Sequence, residues 1–182
     1  MPNMRTFSFE REKFRELILY IAEKTEGFPG FGDTHLNKAL YWADFDAYSS
    51  LGRPVTGARY FKLPHGPGAK PLVPVRDELA EEGFVEIVEP PLGSFEARKT
   101  RAKRAPDTSL FSIEELELVD RLVSRLQGLT AKKVSDLSHD EVGWNLVALY
   151  DDIPYQAALI SQNPPSEKTL ARARERAASV AW

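Results

Sequence analysis

The chain of 182 residues has no cysteine and only two methionines. Without thiols it can form no disulfide scaffold, hold no thiolate-bound zinc or iron–sulfur cluster, and offer no cysteine nucleophile. Its three histidines, His35, His65 and His139, are scattered, and none stands in an H-x-x-x-H or H-E-x-x-H arrangement. An excess of one charge is also missing: 24 Lys and Arg against 27 Asp and Glu leave a net −3. The molecule as a whole is therefore not drawn to nucleic acid, and any such role needs a local basic patch. No apolar run approaches the ~20 residues of a membrane-spanning helix. The opening MPNMRTFSFEREKFREL carries charges through its first apolar residues, unlike a signal peptide. Together these features predict a cytoplasmic protein with no membrane partner. There is no G-x-S-x-G elbow, and Gly27, Gly30 and Gly32 lack the Lys-Ser/Thr sequel and the preceding strand of a phosphate loop.

What is present is enough to fold. An apolar content of 42% with 28% charged residues is that of a globular chain, and the length suits one domain over residues 1–182. Phe14, Leu17, Ile18 and Ile21 recur at helical spacing over residues 10–24. A second helix is predicted from the capping pair Asp33 and Thr34 to about residue 48. Its apolar residues occupy more than one stripe, which marks it as the central helix. Residues 51–57 read as a turn, 58–63 as an extended stretch, and the Pro64–Gly68 run as a rigid loop. A helix over 72–82 and strands near 84–88 and 95–103 follow, joined by a turn at 90–94. Helix then hairpin is the outline of a winged helix, although many α+β domains share it. Ser112 and Glu115 form a capping box before a helix whose predicted inner face is Ile113, Leu116, Val119, Leu122, Val123 and Leu126. A brief helix to 137 is predicted next, then one opened by Ser138 that carries Val142 to Leu149 and ends at Asp151 to Pro154. A polar last helix from 166, to about 180, is expected to be peripheral. The fold class is mainly α: one compact helical domain with a small antiparallel β-hairpin or three-stranded sheet.

Two groups of residues can carry chemistry. His35, His65, the His139-Asp140 pair and the Asp151-Asp152 pair echo the separated ligands of helical metal-dependent phosphohydrolases, since imidazole and carboxylate suit a hydrolytic divalent ion. The alternative is a helix start, with Ser138 or Asp140 as cap. Arg98, Lys99, Arg101, Lys103 and Arg104 place five cations in seven residues. Such a strip can meet nucleic acid or an acidic protein partner. It can also face the upstream carboxylates Asp77, Glu78, Glu81, Glu82, Glu86 and Glu89, or guard an edge strand.

The run His35-Leu36-Asn37-Lys38-Ala39-Leu40-Tyr41-Trp42-Ala43-Asp44 resembles the L-N-K-L-L-Y-x-A-D helix of the Panacea domain, the SocA-like antitoxin family of phage-associated proteins. Three further blocks agree in order: Gly52 to Gly57 with Tyr60; His65-Gly66-Pro67; and Ser138-His139-Asp140-Glu141 with Trp144, followed by Ile153-Pro154-Tyr155. The resemblance spans residues 14–160. Gly68 and Ala69 depart from the apolar residues that many members carry after the Gly-Pro step, and residues 88–106 resemble an insertion. The resemblance implies a non-enzymatic antitoxin of a type II-like toxin–antitoxin system. Such a protein neutralises a cognate toxin by protein–protein binding, with a protease or chaperone as a further partner where the antitoxin acts as a proteolytic adaptor, and needs no cofactor. A DNA- or RNA-binding regulator using the basic hairpin, and a metal-dependent hydrolase, are the alternatives. Structural roles are expected for Asn37, Lys38, Tyr41, Asp44, Gly57, Tyr60, Gly66, Pro67, His139 and Trp144. The partner surface is expected on the hairpin at Arg98, Lys99, Arg101 and Arg104.

Overall fold

A computed structural model describes residues 7–92, 97–160 and residue 171. The predicted last helix over 166–180 and the strand start at 95 lie outside the described residues, except for that one helical residue. Helix α1 (Arg11–Lys24) and helix α2 (Asp33–Leu51) form the centre. α2 is covered on several sides because its apolar residues run right round it: Leu36, Leu40, Tyr41, Phe45, Ala39 and Ala43 are all buried. α1 buries the predicted face of Phe14, Leu17, Ile18 and Ile21, and also buries the charged Lys13, Arg15 and Glu16. These three are held by ion pairs to Glu115, Glu82 and Arg104 respectively, which is how a charged flank can enter the interior.

After α2 come β1 (Tyr60–Leu63) and β2 (Gly66–Ala69), an antiparallel hairpin that pairs Tyr60 with Ala69 and Leu63 with Gly66. The Pro-Gly run expected as a loop is therefore a strand from Gly66 onward. Pro67 is tolerated because β2 is an edge strand and a proline can sit where no ladder N–H is needed. The third strand, β5 (Asp152–Ile153), pairs with β1 from the far end of the chain and gives the order β2-β1-β5. Helix α3 (Leu72–Glu81) leads into the predicted hairpin, β3 (Val85–Val88) with β4 (Lys99–Ala102).

Helix α4 (Ile113–Leu126) opens on the predicted capping box: Glu115 N–H donates to Ser112 Oγ at 3.3 Å, and Ser112 N–H donates back to Glu115 Oε2 at 3.0 Å. Its inner face is largely the expected one, with Val119, Leu122, Val123 and Leu126 buried and Leu116 packed against the core. Leu118 is buried and Ile113, in the first turn, is 73% exposed. α5 (Ala131–His139) and α6 (Val142–Leu146) also correct the prediction. Ser138 and His139 do not open a helix; they end α5, and α6 starts from Glu141 with no side-chain cap and stops at Leu146. From Val147 the chain turns through Leu149 and Tyr150 and returns to β1, which it meets at Tyr150 N–H, at the Asp151 carbonyl and then at the two residues of β5. No helix among the described residues is long and apolar enough to cross a membrane.

Candidate functional site

The motif residues converge on the β1–β2 hairpin. In this register Ala69 N–H and the Pro67 carbonyl point away from β1, toward α2. Asn37 Oδ1 accepts from Ala69 N–H at 3.1 Å, and Lys38 Nζ donates to the Pro67 carbonyl at 3.0 Å. Pro67 has no N–H to leave unpaired. Neighbouring side chains of α2 thus do for the edge of β2 what another strand would do, and they leave it closed to a second chain. Gly66 has φ +101°, and a Cβ there would fall 2.1 Å from Ser138 Oγ and 2.7 Å from Lys38 Cε. Only glycine lets β2 lie this close to α2 and α5. Burial pushes the Lys38 ammonium down to about 8.

A second polar centre sits under the hairpin. Asp44 is fully buried and accepts from Thr56 N–H and Thr56 Oγ1, both at 2.6 Å, from Tyr60 OH at 2.8 Å and from Tyr155 OH at 3.2 Å. Burial raises its carboxyl, and the bonds from Thr56, Tyr60 and Tyr155 work against that rise. Tyr60 OH also lies 2.8 Å from the Leu40 carbonyl, and Tyr155 OH shares its one proton between Asp44 and the Ala58 carbonyl, 2.6 Å away. One carboxylate therefore ties α2, the turn before β1, β1 and the turn after β5. Tyr41 packs in the same aromatic cluster, its ring centroid 4.2 Å from that of Phe45 and 5.6 Å from that of Tyr60. Gly57, at φ +69°, leaves no room for a Cβ, which would come within 2.5 Å of the Ser8 carbonyl oxygen.

The third set joins the helical end to the hairpin. Trp144 Nε1 donates to the Leu63 carbonyl at 3.0 Å, and its ring stacks on His139 with centroids 4.3 Å apart. Lys62 lies over the other part of this layer, with Nζ 4.1 Å from the Trp144 centroid and 3.1 Å from the Val147 carbonyl it bonds. Ser135 Oγ donates to the His65 carbonyl at 2.9 Å. His65 and His139 share the wall of a cavity of about 430 Å³ with Ser135 and Asp136. His35 is elsewhere, buried with Nε2 2.8 Å from the Leu129 carbonyl. Asp152 is paired with Arg59 and Lys70. No group of three or more potential metal ligands occurs among the described residues.

The basic strip is engaged within the chain. Arg98 meets Asp33, its Nε 2.8 Å from Oδ2, and Lys99 donates to the Thr25 and Glu26 carbonyls at the end of α1. Arg101 and Lys103 share Glu86, each at 3.3 Å. Arg104 holds Glu16 by two bonds, 2.9 and 2.6 Å, while its guanidinium lies over the Phe84 ring. Burial works to raise the Glu16 carboxyl, and Arg104 with Asp107 N–H outweighs it and leaves Glu16 below the usual range. Of the six upstream carboxylates named from the sequence, Glu86 and Glu89 are the ones that form ion pairs with the strip.

Several polar partners were not singled out from sequence. Thr56 and Tyr155 complete the Asp44 centre, Glu141 accepts from Trp42 Nε1 at 2.7 Å, and the buried Arg76 pairs with Asp33 at 2.8 Å. Thr56, Tyr155 and Glu141 lie inside the sequence blocks that carry the resemblance, and that was the available signal. Arg76 had none, since nothing in a lone arginine on α3 tells of a partner 43 residues away.

No curated protein and no solved structure matched the chain. Residues 36–145 match the family described as "Antitoxin SocA-like, Panacea domain". That match contains the Asn37-Lys38 clamp, Asp44, both strands of the first hairpin and the His139–Trp144 stack, and the chain belongs to the SocA-like, Panacea-domain antitoxin family.

Proposed function

We propose that the chain is the antitoxin of a two-gene toxin–antitoxin system and acts as a binding protein, neutralising a cognate toxin by direct contact. The observation that carries the reading is the family match over residues 36–145. The use of the motif residues supports it. Asn37, Lys38, Asp44, Tyr60 and Trp144 each spend a polar group on joining the hairpin layer to a helix, as a scaffold requires. A nucleic-acid role would draw on the strip from Arg98 to Arg104, whose cations already have partners in the fold.

The test is genetic and direct. The neighbouring reading frame is expressed alone and then together with this chain. Growth arrest by the first and rescue by the second are expected. A neighbour that is harmless alone contradicts the reading.

A further inference from the structure

The segment after α6 holds apolar side chains in the open. Leu146 is 63% exposed, Leu149 46% and Tyr150 63%, and Leu159, the last residue of the 3-10 turn that packs on α6, and Ile160 after it are also exposed. Five of the large exposed apolar residues thus fall within fifteen positions. They do not sit on a loose loop. Tyr150 N–H donates to the Lys62 carbonyl at 2.8 Å, Lys62 N–H donates to the Asp151 carbonyl at 3.0 Å, and Lys62 Nζ holds the Val147 carbonyl. Tyr150 has φ +72°, and it alone among the described non-glycine residues has positive φ. A tyrosine resists that backbone by about 1–2 kcal/mol and keeps it only where the surroundings hold it. The backbone is fixed and the side chains are presented to solvent, the arrangement of a preformed contact surface.

Within the segment itself the charges have one sign, and the cation nearest to it, Lys62 of β1, is spent on the Val147 carbonyl and the Trp144 ring. Residues 140–160 contain Asp140, Glu141, Asp151 and Asp152 and not one Lys or Arg. Asp152 is neutralised by Arg59 and Lys70, whereas Asp140 and Asp151 have no ion-pair partner among the described residues. An apolar centre with carboxylates at its margin complements an apolar patch edged by cations.

We propose that Leu146, Leu149 and Tyr150, flanked by Leu159 and Ile160, form the surface that takes the toxin, and that the toxin meets it with an apolar patch bordered by lysine or arginine. This rests on the antitoxin reading. Tyr150 is the anchor, because a rigid tyrosine with both an apolar ring and a polar tip is a frequent hot spot of protein interfaces. Asp140 and Asp151 set the approach and the salt dependence of the encounter.

The experiment uses the full chain and the product of the neighbouring reading frame, co-expressed for rescue and purified for titration calorimetry. Four chains are compared: wild type, Tyr150→Gly, Leu146→Asp, and the pair Asp140→Lys with Asp151→Lys. Glycine suits φ +72°, so Tyr150→Gly removes the ring while relieving the backbone and stays folded. Tyr150→Gly and Leu146→Asp are expected to weaken binding by at least about 30-fold with no fall in melting temperature. The lysine pair is expected to weaken it about 10-fold and to flatten its salt dependence. Wild-type rescue with Tyr150→Gly and Leu146→Asp binding within about threefold of it overturns this surface and leaves the antitoxin reading standing. Wild type that neither rescues nor binds overturns that reading, and this proposal with it.

Discussion

Lys38 Nζ donates to the Pro67 carbonyl at 3.0 Å with its side chain almost wholly buried and no carboxylate paired with it among the described residues. The amine closes the edge of β2, and its burial holds it down to about 8. An unfolded lysine titrates near about 10.4. Between these values the unfolded chain keeps a proton that the folded chain has lost, so Lys38 makes stability rise with pH across that window. Measured against Lys38→Met by denaturant melts, wild type is expected to gain up to about 3 kcal/mol between pH 8 and pH 10.5. The comparison with the variant removes the buried tyrosines from the difference. A flat difference would mean that the amine is not desolvated.

Asp44 carries four hydrogen bonds from three residues. Asparagine keeps one acceptor and turns an NH2 group toward donors, so Asp44→Asn should cost about 2–4 kcal/mol. Tyr155→Phe removes a single partner and should cost about 1 kcal/mol. Urea unfolding measures both, and equal losses would contradict a shared centre.

A methyl group at position 66 would collide with Ser138 Oγ and impose a side chain at φ +101°. Gly66→Ala is expected to destabilise by more than about 2 kcal/mol, and Ser138→Gly in the same chain should recover the Ser138 share of the steric cost but neither the Lys38 contact nor the backbone part. Full additivity in that double-mutant cycle would place the two residues apart.

The cations of β4 and the residues beside it are predicted to differ in worth. Arg101 pairs with Glu86 at the surface, so Arg101→Ala should change stability by less than about 0.5 kcal/mol. Arg104 grips the buried Glu16 by two bonds, and Arg104→Ala should cost about 3 kcal/mol by leaving that carboxylate unpaired. Thermal melts at two salt concentrations separate them, since salt screens an exposed pair more than an inner one.

Legibility followed the range of the interactions. The helices around Phe14, Leu40 and Leu122 and the Ser112 capping box were readable because periodicity and capping act within a turn or two of the chain. The end of α5 and the short α6 were not. Ser138 and Asp140 are good caps in isolation, but Ser138 is spent on the Ser135 carbonyl and on packing against Gly66, a residue 72 positions earlier. The same holds for β5, two residues whose only reason to be extended is β1. The Pro-Gly run was read as a loop because local composition says so, and the α2 side chains that make it a strand edge are visible only in three dimensions. Charge was the hardest to place. Five cations side by side look like a surface for a partner, and their sequence does not show that Asp33, Glu16 and the Thr25 and Glu26 carbonyls meet Arg98, Arg104 and Lys99 from other elements.

As the proposed antitoxin, this chain neutralises a toxin by binding it. The most direct measurement is survival of cells expressing the neighbouring reading frame with and without this chain, paired with co-purification of the two products. Arrest without the chain, survival with it and a stable complex are predicted. Survival in both conditions, or rescue with no complex formed, would contradict the account.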